Sequence, residues 1–320
     1  MDLLLPAGSV ILGFGLLLFG GDWLVLSAVS LACRFRISPS VIGLTIVAAG
    51  TSVPEMITSL MATHRGSPDI AIGNVVGSNI FNILVIIGFS SLIRVNRVIP
   101  SQIRNEIPFL FLVSALMWGL AADSFIYRWE GGLFLVLFVG FMAFSVIKSR
   151  RRFGTDINPD SEEDEMERLK HLGWDLGYLA LGLAALMGGA HFALEGSISI
   201  ARHFGFSERF IGLTIVSAGT GLPELATSSM AALRGKSGIA VGNVIGSNVF
   251  NTLMVTGAAA SFKTLEIHPR ILQLDFLWML IVTGLLVPAY FVGKRSFNRP
   301  TGVVFLSLYI AYVTQLYFSQ

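Results

Sequence analysis

The sequence predicts an all-α integral membrane protein of ten transmembrane helices, arranged as two inverted five-helix repeats with broken helices at the midplane. Three observations carry that prediction. The chain is 53% hydrophobic and only 13% charged, with a mean hydropathy of +0.73, a balance that belongs in lipid rather than around a soluble core. Residues 43–82 return as residues 212–251 at a constant offset of 169, with 26 of 40 positions identical and no gap. In each copy a proline followed by a glutamate interrupts an apolar span.

The spans fall at about 3–33, 38–64, 69–93, 105–122, 130–148, 172–202, 207–233, 238–262, 271–292 and 300–318. The first contains Asp22 as its only charge and starts Met-Asp, without the basic stretch of a cleaved signal, so it is read as a retained helix. It and the sixth each offer about 30 residues, roughly 45 Å at 1.5 Å per residue against a hydrocarbon core of roughly 30 Å, so both should tilt strongly. Residues 149–171, with Arg150 to Arg152 and the acidic cluster Glu162 to Glu167, form a solvated linker between repeats at 1–148 and 172–320. The lone Cys33 excludes an internal disulfide and is read as packing.

Charge placement orients the chain. With the N-terminus outside, 16 of the 22 lysines and arginines lie in cytoplasmic loops and helix ends, and six (Arg65, Arg128, Arg202, Arg209, Lys263 and Arg270) lie outside. Both termini are then extracytoplasmic, in a multi-pass protein of the cell membrane. The offset of 169 spans five helices, an odd number, so the second copy enters from the opposite side. Inverted repeats of this kind are common in secondary transporters, with the substrate site at the repeat interface near the midplane. A net charge of +2 in membrane loops gives no reason to propose nucleic acid.

The repeats carry the chemistry. Gly50-Thr51-Ser52-Val53-Pro54-Glu55 returns as Gly219-Thr220-Gly221-Leu222-Pro223-Glu224. Proline donates nothing to the carbonyl four residues back, so carbonyls near Gly50 and Gly219 are freed and each helix kinks or breaks. A mid-membrane carboxylate costs on the order of 3 kcal/mol, and no lysine or arginine stands inside any span. Protons or bound cations are the available compensation, and protonated glutamates in interhelical hydrogen bonds are the simpler alternative.

Asn74, Ser78 and Asn82, mirrored by Asn243, Ser247 and Asn251, are spaced i, i+4, i+8 and line one helix face. Gly73 with Gly77 and Gly242 with Gly246 have the spacing that lets helix backbones approach. Carboxylates, amides, hydroxyls and carbonyls, without cysteine or histidine, make a hard-cation set that suits calcium or sodium. Asp22 and Glu195 are further candidates for buried acids, with interhelical bonding near a helix end as the plainer account.

These paired motifs, GTSVPE with GNVVGSNIFN and GTGLPE with GNVIGSNVFN, resemble the alpha repeats of the cation/calcium exchanger superfamily, most closely its prokaryotic sodium/calcium exchanger branch. The resemblance implies calcium exchanged against several sodium ions by alternating access, the long first and sixth helices sliding against the rest. By position it makes Glu55 and Glu224 the calcium ligands, helped by the carbonyls of Thr51 and Thr220. It implies sodium sites at the Ala48 carbonyl, Ser52 and Ser78, and at the Ser217 carbonyl, Thr220 and Ser247, with Asn82 and Asn251 beside them.

Two residues depart from the family pattern: Gly221 stands where a hydroxyl is expected, and Asn251 where some relatives carry aspartate. The short linker leaves no room for a cytosolic calcium-sensing domain. No cofactor and no obligatory protein partner is implied; the ions and the lipid bilayer are the partners. Calcium/proton exchange uses the same glutamates and stays open. A passive channel and an intramembrane enzyme are weaker readings, because the chain has neither a rotational array of pore helices nor a recognisable nucleophile or catalytic histidine.

Overall fold

The computed structural model describes residues 3–152, 171–205 and 219–318. The body of the linker and the first part of the seventh expected helix, including Ser217, lie outside the described residues.

The described chain is mostly helical. The helices are α1 Leu4–Phe35, α2 Pro39–Thr51, α3 Val53–His64, α4 Pro68–Ile93 and α5 Gln102–Asp123. They continue as α6 Arg128–Arg152, α7 Leu172–His203, α8 Leu222–Leu233, α9 Ser237–Phe262, α10 Ile271–Val292 and α11 Arg299–Phe318. Seven of these are long and apolar enough to cross a membrane, and the pair α2 and α3, bent by 46° at Ser52, makes an eighth. The break falls one turn before Glu55, where Pro54 at the start of α3 has no N–H to give.

Local chemistry sets the ends. Ser38 caps α2, accepting from the Val41 N–H at 3.4 Å, with Pro39 at the first helical position. Gly66 and Gly235 close α3 and α8 with φ of +77° and +73°, a conformation that favours glycine. Two kinds of feature are absent from the sequence expectation. Helical turns widen to the π form at 43–47, and in pairs separated by about 169 residues at 82–87 and 250–255 and at 102–106 and 271–275. Two-residue strands also form: β1 Asn96–Arg97 pairs with β4 Ser296–Phe297, and β2 Phe125–Ile126 with β3 Leu265–Glu266, all antiparallel. Each ladder joins a loop of one half to a loop of the other.

The core sits on α4 and α9, where Ile72, Val75, Val76 and Ile80 meet Val241, Val244, Ile245 and Val249. In its most apolar stretch α9 is 94% buried, whereas α1 is 22% buried. Leu5, Ile11, Phe14 and Phe19 of α1 point outward as a lipid-facing surface.

Helices α1 and α7 lie antiparallel along one another at backbone contact. A Cβ added to Gly13 would fall 2.7 Å from the Gly189 carbonyl oxygen, and one added to Gly189 would fall 2.8 Å from that of Gly13. Gly20 and Gly182 oppose each other in the same way, at 2.9 and 3.0 Å. Each of these contacts maps onto another when 169 is added to one residue number and subtracted from the other.

One end of this pair carries an ion pair. Arg34 Nε donates to Asp175 Oδ2 at 2.5 Å, with the aspartate fully buried. Removing the arginine strands a buried charge, which costs about 3 kcal/mol. Arg34→Gln is therefore expected to lower thermal stability in detergent by about that much, and Arg34→Gln with Asp175→Asn to recover part of the loss. A strictly additive double variant would show that the two side chains do not act as a pair.

Candidate functional site

The site is built where the α2–α3 bend meets α8 and α9. Glu55 is 1% exposed and Glu224 fully buried, each in the first turn of its helix with a proline just before it. Ser52 Oγ, at the bend, donates across to Glu224 Oε1 at 3.1 Å, tying one half's break to the other half's carboxylate. Among the described residues neither glutamate has a basic partner, and Oε2 of each accepts no hydrogen bond.

The expected backbone approach is present at Gly242 and Gly246. A Cβ at either would collide with the carbonyl oxygens of Ser40 and Leu44 on α2. That closeness lets Asn243 reach the bend: Thr51 Oγ1 donates to its Oδ1 at 3.4 Å, while its Nδ2 donates to Ser228 Oγ at 3.0 Å. In the other half Asn74 Nδ2 donates to Ser59 Oγ at 2.9 Å and to the Glu55 carbonyl at 3.1 Å. Asn74 and Asn243 thus act as clamps between consecutive helices. At Gly73 and Gly77 a built Cβ meets no heavy atom of the described residues within 4 Å, so the expected approach is not seen there.

The remaining expected ligands divide. The Ala48 carbonyl accepts from the Ser52 N–H at 3.0 Å and from Thr51 Oγ1 at 3.4 Å, so it is engaged within the helix. Ser78 is partly buried, as is Thr220. Ser247 Oγ is buried with no partner among the described residues, and neither is there one for either amide atom of Asn251. Asn82, its counterpart, donates to Asn248 Oδ1 at 2.9 Å. Asn82 and Asn251 both lie in the widened turns.

Sequence periodicity passed over Asn79 and Asn248. Asn248 Nδ2 donates to the Asn79 carbonyl at 3.2 Å and Asn79 Nδ2 to Thr252 Oγ1 at 2.8 Å, stitching α4 to α9 beside the site. Their signal was recurrence in both GSN motifs, off the i, i+4 stripe. Glu106, buried with Oε2 unpartnered among the described residues, was also missed; its counterpart Asp275 accepts from Tyr312 Oη at 3.0 Å. Asp22 pairs with Arg234 at 2.5 Å, as interhelical bonding requires, whereas Glu195 is exposed and so is not a buried acid.

A helical bundle with apolar outer faces, with paired carboxylates and hydroxyls sequestered inside, defines a polytopic membrane protein of the transporter class rather than an enzyme. The profile of the family described as "Sodium/calcium exchanger protein" matches residues 5–147 and 174–318, and the chain belongs to that family. It is 38% identical to CaxA of Alkalimonas amylolytica over 97% of this chain and 98% of that one. Sodium/calcium exchanger MaX1 of Methanosarcina acetivorans is 31% identical over 97% of each. The solved structure of the sodium-calcium exchanger NCX_Mj, soaked with zero Na+ and Ca2+, superposes with a TM-score of 0.84 at 30% identity, covering 98% of this chain and 99% of that one.

Proposed function

We propose that this chain exchanges calcium for sodium across the cell membrane by alternating access, with Glu55 and Glu224 as the central ligands of calcium. The observation that carries the reading is the pair of buried carboxylates, each of which has, among the described residues, neither a partner for one oxygen nor a basic side chain to neutralise it. One calcium or a set of sodium ions supplies the missing positive charge, and an uncompensated site is too costly to carry through the hydrocarbon core. Exchange is thereby obligatory. Ser52, Thr51, Thr220, Ser78, Ser247, Asn82, Asn251 and the carbonyls of Ala48 and Ser217 are the candidates for the remaining cation ligands.

In this reading residues 1–148 and 172–320 are inverted five-helix repeats, ten spans in all, joined by a cytoplasmic linker at 149–171, with both termini outside. The symmetry of the α1–α7 contacts under the offset of 169 and the reciprocal β1–β4 and β2–β3 ladders support it. The loops rich in arginine also gather at one end: Gly235 abuts the Arg94 guanidinium, and Val98 N–H donates to the Arg295 carbonyl at 3.3 Å. The paired α1 and α7 are the moving element, and α7 touches the site directly, with Leu183 against Gly50 and Leu194 against Gly219.

The test is calcium flux in reconstituted vesicles with sodium, potassium and proton gradients imposed one at a time. The proposal expects uptake that follows the sodium gradient alone. Uptake that follows the proton gradient and ignores sodium would assign the chain to calcium/proton exchange instead.

A further inference from the structure

Resting on the exchange reading above, we propose that Phe81 and Gly221 together delete one sodium subsite from the second half, so that Phe81 sets how many sodium ions oppose each calcium. The two repeats bend at equivalent residues with nearly equal backbone geometry: Ser52 has φ −86° and ψ 10°, and Gly221 has φ −83° and ψ 2°. Any residue adopts those angles, so chain conformation does not call for glycine at 221.

Space does. A Cβ built on Gly221 would fall 2.5 Å from Phe81 Cε1 and 2.7 Å from Cδ1, inside any real van der Waals contact. The ring cannot easily yield, since Phe81 is 6% exposed and packs edge-on against Tyr309 with centroids 5.7 Å apart. Its counterpart Phe250 packs in the same manner on Phe138 at 5.5 Å and coexists with Ser52 in the other half. What differs between the halves is the residue at the bend, serine at 52 and, against the Phe81 ring, glycine at 221.

The chemical consequence is local to sodium. Ser52 gives the first half a hydroxyl that also donates to Glu224. At residue 221 the second half presents ring-edge C–H groups instead, and the edge of an aromatic ring is its electropositive part. A cation there loses an oxygen ligand and faces a like partial charge. Calcium, held chiefly by the carboxylates, is spared. Two carboxylates are neutralised by one calcium or by about two sodium ions, the states that cross low dielectric at least cost. Exchange of about two sodium ions per calcium would move no net charge.

The experiment uses the full chain in vesicles, reading calcium uptake against internal sodium and against an imposed potassium diffusion potential. The wild type is expected to show a sodium cooperativity of about two, following the two carboxylate charges, and a rate indifferent to potential. Phe81→Leu combined with Gly221→Ser is expected to raise the cooperativity to about three, one added ion, and to make uptake voltage-sensitive. Phe81→Leu with Gly221→Ala, which fills the same space without an oxygen, keeps about two. Wild-type uptake that is voltage-driven with a cooperativity near three overturns the proposal by itself, whatever the variants do. So does a serine variant that behaves as the alanine variant does. Calcium flux without any sodium dependence would sink the exchange reading instead, a separately recognisable outcome.

Discussion

Glu224→Gln will abolish sodium-driven calcium uptake, and Glu55→Gln will do the same, while both proteins unfold at temperatures no lower than the wild type. The amide keeps the shape of the carboxylate and removes its charge. Each glutamate is buried and unpaired with any described basic group, and each has an oxygen without a described donor. The charge therefore costs folding stability and is retained for what it binds. Loss of one charged ligand from a buried calcium site costs about 3 kcal/mol or more, a hundredfold or greater loss at subsaturating calcium. Vesicle uptake together with thermal unfolding in detergent measures both halves of the expectation. Uptake within a few fold of wild type in either variant would mean that the glutamates are structural acids.

The second large effect lies away from the ions. Gly189→Leu will both destabilise the protein and stop transport, because the added side chain meets the Gly13 carbonyl oxygen and the Leu17 N–H at 2.8 and 2.9 Å, backbone atoms that have no rotamer to escape into. Overpacking of this kind costs about 1–3 kcal/mol, and it must also be relieved by separating α1 from α7. Gly188→Leu, one residue away with no heavy atom within 4 Å of its built Cβ, is the matched control and should be near neutral. Equal behaviour of the two variants in thermal unfolding and uptake would contradict the close contact.

Much of this was legible because the physics is local. The break at Ser52 follows from Pro54, the clamps by Asn74 and Asn243 sit in a motif repeated with only Val/Ile exchanges, and the burial of Glu55 and Glu224 follows from apolar surroundings. Where both ends are described, helix limits agree to within a few residues because hydropathy decides them; α5 starts at Gln102 rather than near 105, its first turn being widened. What stayed hidden depends on residues far apart in the chain. Arg34 meets Asp175 across 141 positions, and Asn248 meets Asn79 across 169. The ring of Phe81 occupies the place of a side chain at residue 221. No periodicity within one helix encodes such meetings. Glu106 was missed for another reason: it stands in the first turn of α5, where an acid reads as ordinary.

The central claim is that one site, between Glu55 and Glu224, holds calcium and sodium by turns. Calorimetric titration of calcium into the purified protein at rising sodium concentration tests it most directly. The account predicts that the apparent calcium affinity falls continuously as sodium rises, with no limiting value, and that the binding heat vanishes in Glu224→Gln. Calcium affinity that levels off at high sodium, or calcium binding that survives in Glu224→Gln, would contradict it.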